Sequence, residues 1–117
     1  MARVLLVDDD MDAIALRRRI FERSGCTVAA VSCAKRAREE FQAERPDVVV
    51  LDLRLPDLED GLALIREFRG AADGVRLVVL AGWCGDIEGR PESSLVDRIL
   101  SKPIRSEVLV RAVLAGS

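Results

Sequence analysis

Five short apolar runs, none strictly alternating with polar residues, constrain the fold of this chain more than any other feature. They are Arg3–Asp8 (RVLLVD), Val28–Val31, Val48–Leu51, Val75–Leu80 and Val96–Leu100, each bounded by turn or charged residues. A strand with one wet face alternates apolar and polar positions, and a strand buried on both faces does not. Unbroken runs of this length therefore predict a parallel sheet covered by helices on both sides. The intervening stretches fit that picture. Ala13, Leu16 and Ile20 at helical spacing predict a helix over Asp12–Ser24, closed by Gly25. Ser32 is expected to cap a second helix, with Ala34, Ala37 and Phe41 inward and a stop before Pro46. Asp60 is expected to cap a third, carrying Leu64, Ile65 and Phe68 and ending at Gly70. Ser106 is expected to cap a last one, with Leu109, Ala112 and Val113 inward. Another helix belongs between Trp83 and Leu95, where Gly85, Gly89 and Pro91 stand. In a helix interior Gly costs roughly 1 kcal/mol and Pro roughly 3 kcal/mol, so this fourth helix is expected to be short, late-starting or mobile.

Five strand–helix repeats in 117 residues imply an α/β fold. The expected form is an open, doubly wound sheet of five parallel strands in the order 2-1-3-4-5, flavodoxin-like, with five helices and a weak fourth. Residues 1–117 make one domain by length, with no linker or repeat, and no output domain is expected within the chain because nothing follows Ser117. Eighteen basic against 20 acidic residues give a net charge of −2, which speaks against direct nucleic-acid binding through bulk positive charge. No apolar run approaches the roughly 20 residues that a bilayer requires, and no secretory signal opens the chain, so no membrane association is expected. Cys26, Cys33 and Cys84 form no CxxC pair, which fits a reducing cytoplasm. Histidine is absent, which removes His-based catalysis and His metal ligands.

Right-handed crossovers place the carboxyl ends of all five strands along one rim, where open α/β sheets bind ligands. The first strand ends in Asp8, Asp9 and Asp10, the third in Asp52, and the fifth runs into Ser101-Lys102-Pro103. Clustered carboxylates repel and raise one another's pKa unless a cation joins them. Mg²⁺ suits such a site, because it takes oxygen ligands, keeps waters and bridges carboxylates to a phosphoryl group. A lysine across the rim binds the same phosphoryl oxygens as a point charge. The set Asp9, Asp52 and Lys102 therefore points to phosphoryl transfer onto an aspartate. Asp10 and Asp12 read as ordinary turn or cap residues.

The motifs VLLVDDD, VVVLDLRLPD with Pro56 and Gly61, and LSKPI with Lys102-Pro103 resemble the receiver domains of bacterial two-component response regulators, over Arg3 to Leu114. The resemblance implies that Asp52 is the phosphoacceptor, served by a histidine kinase or phosphotransfer protein. It implies that Asp9, Asp52 and the backbone carbonyl of Arg54 hold Mg²⁺, that Asp8 acts mainly through water, and that Lys102 pairs with the phosphoryl group. It further implies partner docking or homodimerisation on the face made by helix four, strand five and helix five.

Three departures stand out. Where the family usually has Thr or Ser at the end of strand four, this chain has Ala81. Where it usually has Tyr or Phe three residues before the lysine, this chain has Ile99. Pro56 and Gly61 are separated by one residue more than usual. Hydroxyl and aromatic form a coupled switch in the family, so either another residue serves here or phosphorylation survives with an altered readout. Arg54 and Trp83 occupy positions that flank the phosphoryl site, where bulk can shield an aspartyl phosphate from water. The rival class is a degenerate receiver that acts as a phosphorylation-independent interaction module.

Other chemistries fit less well. A haloacid-dehalogenase-type phosphatase carries an Asp two residues beyond its nucleophile, where this chain has Arg54. A calcium loop starting at Asp8 lacks its Gly and closing Glu, at Ala13 and Arg19. No P-loop motif occurs. Arg17-Arg18-Arg19 reads as a solvated helix face, with docking to the kinase as its second reading.

Overall fold

The computed structural model describes residues 2–72 and 74–115. Five strands, β1 (Arg3–Val7), β2 (Thr27–Val31), β3 (Val48–Asp52), β4 (Arg76–Ala81) and β5 (Arg98–Ser101), form one sheet in the order β2-β1-β3-β4-β5. All four pairings are parallel. Four helices cover the sheet: α1 (Met11–Arg23), α2 (Ala34–Glu44), α3 (Leu58–Ala71) and α4 (Ser106–Ala115).

The unbroken apolar runs are explained by two cores, one on each face. Successive strand residues point to opposite sides, so Leu5, Val49, Leu51 and Val79 meet Phe41, Leu62, Ile65 and Phe68 of α2 and α3. Their neighbours Val4, Leu6, Val50, Val78 and Leu80 meet Phe21 of α1 and Leu109, Val110 and Val113 of α4. The rings of Phe41 and Phe68 stack with centroids 4.2 Å apart. Every residue of the central strand β3 is buried. Burying a Val or Leu side chain contributes roughly 1.5–3 kcal/mol, so these two layers supply most of the driving force.

The helix ends correct the sequence reading in detail. Asp10 caps α1, accepting from the Ala13 N–H at 3.1 Å, and Gly25 follows the helix with φ of 92°. Cys33 rather than Ser32 stands at the start of α2. Asp57 rather than Asp60 caps α3; Asp60 is the third residue of that helix and closes a reciprocal capping box with Asp57. The inward row of α1 is Ile14, Arg17 and Phe21, whereas Leu16 is 49% exposed.

The fourth helix of the expected set does not form. In its place between β4 and β5 lie two 3-10 segments, Cys84–Asp86 and Pro91–Leu95. Gly89 between them has φ of 79°, a left-handed value no helix tolerates, and Pro91 opens the second segment. The stretch is nonetheless pinned to the body. Ile87 is fully buried, Glu92 accepts from Arg66 at 2.5 Å, and Arg69 donates to the Leu95 carbonyl at 2.9 Å. Among the described residues, no helix is long and apolar enough to cross a membrane.

Candidate functional site

The carboxyl rim gathers the residues singled out by sequence. Asp8 and Asp9 follow β1, Asp52 is the last residue of β3, and Lys102 follows β5. Asp8, Asp9 and Asp52 each offer a carboxylate oxygen within 4.8 Å of the others. Asp8 and Asp52 are buried and Asp9 is exposed. The Lys102 ammonium donates to Oδ2 of Asp52 at 2.9 Å. The other oxygen of Asp52 faces the backbone N–H of Arg54 at a long 3.4 Å. Asp9, Asp52, Arg54, Pro56, Trp83 and Lys102 line one open pocket of about 360 Å³.

Burial pushes the Asp52 carboxyl above its ordinary value; the bond from Lys102 opposes this and the charge of Asp8 reinforces it. The sign for stability follows. Below the unfolded carboxylate range Asp52 is protonated in both states and costs nothing. As pH rises through its raised folded value, the folded state must ionise a group that it prefers protonated, and stability falls. Metal-free Asp52→Asn is therefore expected to melt a few degrees above the wild type at neutral pH. The gap should close toward pH 3, and Mg²⁺ should raise the wild type's midpoint but not the variant's. Thermal melts across pH, with chelator or Mg²⁺, check this; a wild type more stable than the variant at neutral pH without metal contradicts it.

Two charged contacts at the rim were not expected from sequence. Arg17 is not on a solvated face. It is 8% exposed, and its Nη1 donates to Oδ2 of Asp8 at 2.7 Å. Its place three residues after Ile14 and four before Phe21 is the signal that puts it in the buried row. Arg54 forms a two-pronged pair with Asp86, Nε to Oδ2 and Nη2 to Oδ1, both at 3.0 Å. Asp86 is buried, so this pair ties the loop after β3 to the first 3-10 segment. Trp83 borders the pocket but is 70% exposed.

The two atypical positions lie beneath the rim. Ala81 is 1% exposed within the core on the α2–α3 side, and Ile99 packs partly buried against that core. The hydroxyl in register with Ala81 is that of Ser101 on β5, and it contacts the Cys84 thiol at 3.1 Å.

An open doubly wound sheet with carboxylates and a lysine on its carboxyl rim is the architecture of the flavodoxin-like signalling domains. The comparisons narrow the class. The family model of the response regulator receiver domain matches residues 4–114, and the chain belongs to that family. The Salmonella typhimurium virulence transcriptional regulatory protein PhoP is 36% identical over 118 residues, covering 95% of this chain and 50% of PhoP. The response regulator MprA of Mycobacterium ulcerans is 37% identical over 78 residues, covering 67% of this chain and 33% of MprA. The chain thus spans between a third and a half of the length of these curated relatives. The CheY-like receiver domain of Methylobacillus flagellatus superposes with a TM-score of 0.85 at 26% identity, covering 100% of this chain and 99% of that one.

Proposed function

We propose that this chain is a phosphoacceptor signalling domain that takes a phosphoryl group from a histidine kinase or phosphotransfer protein onto Asp52, in the cytoplasm, with Mg²⁺. The observation that carries this reading is the pairing of a buried Asp52, at the end of the central strand, with Lys102 on one side and Asp8 and Asp9 on the other. Three hard oxygen donors within 4.8 Å of one another fit a small divalent cation. Asp9, Asp52 and the backbone carbonyl of Arg54 would hold it, with Asp8 acting through water, and it would neutralise the phosphoryl oxygens. The chemistry of the chain's own residues is simple. An oxygen of Asp52 attacks phosphorus as the donor's bond to phosphorus breaks, and the donor leaves with the electron pair. Lys102 is close enough to move from the carboxylate to the incoming phosphoryl oxygens. Positioning and charge neutralisation supply most of the rate.

Incubation with acetyl phosphate and Mg²⁺, followed by intact mass, tests the reading. One added phosphoryl group, labile to hydroxylamine, is expected. A chain that takes up none would instead be a phosphorylation-independent interaction module, the reading that Ala81 and Ile99 favour.

The readout we propose also departs from the hydroxyl–aromatic couple. Ala81 offers a new phosphoryl group no hydrogen bond, and Ile99 has no ring to move. Arg54 lines the same pocket as Asp52 and is tied to Asp86. A doubly charged phosphoryl group competes for that guanidinium, so phosphorylation loosens the tie between the loop after β3 and the first 3-10 segment. Partner or dimer contacts then change on the face formed by that segment, β5 and α4. Amide shift changes on phosphorylation are expected to be largest over residues 82–95 and small at Ile99. Large changes centred on Ile99 and α4, with residues 82–95 silent, would contradict this.

A further inference from the structure

The buried row of α1 reads Ile14, Arg17, Phe21, and the middle residue is out of place by chemistry. An apolar side chain is what the buried row of an amphipathic helix ordinarily carries. Arg17 instead brings a charge into an almost fully buried position, and its Nε–H has no partner. A buried ion pair is often no more stabilising than the hydrophobic residues that can replace it. Stability alone therefore gives a poor account of Arg17. Among the described residues, its side-chain partner is Oδ2 of Asp8, at 2.7 Å, inside the carboxylate cluster.

We propose that Arg17 is a built-in counter-cation of the acidic site, a positioning residue that acts through Asp8 and sets how tightly the site takes Mg²⁺. This rests on the metal-binding reading given above. Asp8, Asp9 and Asp52 carry three negative charges, and Arg17 and Lys102 return two positive ones. These five groups thus keep a net charge of −1 before any metal arrives. Both oxygens of Asp8 are already engaged, Oδ2 by Arg17 and Oδ1 by the Asp10 N–H at 2.9 Å. Asp8 is held in place as a fixed charge, leaving the exposed Asp9 as the freest ligand. Arg17 repels an arriving divalent cation, and because the pair is buried, salt screens this repulsion little. The consequence is a site tuned to weaker metal binding than its three carboxylates would otherwise give.

The test is a Mg²⁺ titration of the purified chain, read by calorimetry and by the emission of Trp83, the sole tryptophan. Wild type, Arg17→Met, Arg17→Gln and Arg17→Lys are compared, with Asp9→Asn as the control for the metal site. Removing the charge is expected to tighten Mg²⁺ binding about tenfold in the Met and Gln variants. Arg17→Lys should stay within about twofold of wild type, because it keeps the charge. The rise in melting temperature on adding saturating Mg²⁺ should also be larger in the two neutral variants. A purely structural arginine would lower the metal-free midpoint and leave the dissociation constant alone, which overturns the proposal. So does weaker binding in folded Arg17→Met or Arg17→Gln. Failure of both neutral variants to fold, with Arg17→Lys folded, would make the residue a stabilising strut and overturn the proposal equally. A wild type whose Mg²⁺ response survives unchanged in Asp9→Asn refutes the metal site itself, a result distinct from any failure of Arg17.

Discussion

Asp52→Asn should take up no phosphoryl group from acetyl phosphate under conditions that label the wild type, a loss of about a hundredfold or more in rate. The expectation follows from what each neighbouring carboxylate is already doing. Asp8 is buried with both oxygens engaged, by Arg17 and by the Asp10 N–H. Asp10 is used as the cap of α1. Asp9 is exposed, without the flanking lysine that Asp52 has. Asp52 alone combines burial, a lysine at 2.9 Å and an open pocket in front of it. An amide in its place keeps the shape but has no anionic oxygen to attack phosphorus. Intact mass gives the stoichiometry, and peptide mapping of the wild-type product gives the position. Wild-type uptake by the Asn variant would move the acceptor to Asp9 and remove the central assignment.

The legible part of this molecule was whatever depends on burial over several consecutive residues. VVVLD at the centre of the sheet must be covered on both faces, and parallel pairing follows from that. Once the strand order is set, the rim residues are set too, because each is simply the next residue along. Asp8, Asp52 and Lys102 needed no side-chain geometry to be brought together. What the sequence did not disclose depends on single side chains whose direction is decided by packing. Arg17 looks like one third of a basic cluster until the phase of α1 is known, and a shift from Leu16 to Arg17 as the inward residue reverses its role. Asp57 and Asp60 are both good caps, and only the start of α3 decides between them. The segment between β4 and β5 shows the same limit. Glycine and proline announced a weak fourth helix, not its replacement by two 3-10 segments, and the anchoring of that replacement by Arg54, Arg66 and Arg69 comes from the loop after β3 and from α3. A stretch short of helix propensity thus need not be loose, because its order is supplied by partners remote in sequence.

Gly61→Ala should destabilise the fold by about 3 kcal/mol or more, lowering the melting temperature by roughly 10 °C. A methyl carbon at position 61 would lie 1.8 Å from the Leu53 carbonyl oxygen and 2.6 Å from its carbon. Those are backbone atoms, so no rotamer change relieves the clash. Either α3 must lift from the sheet or the chain after β3 must shift. Leu53 is the residue after Asp52, and its N–H bonds to the Leu80 carbonyl at 3.0 Å, which ties it to β4. Moving it strains the connection that aims Asp52 and the backbone of Arg54 at the pocket. Phosphate uptake should therefore fall in Gly61→Ala even at temperatures where the variant remains folded. Gly70, in the same helix, supplies the control. A methyl there meets nothing within 4 Å, so Gly70→Ala should be neutral or stabilise by up to about 1 kcal/mol through helix propensity alone. The two substitutions are chemically identical and nine residues apart on one helix, so helix propensity predicts the same sign for both. Urea or thermal melts that showed equal effects would remove the close approach of α3 to Leu53 as the reason glycine is needed at position 61.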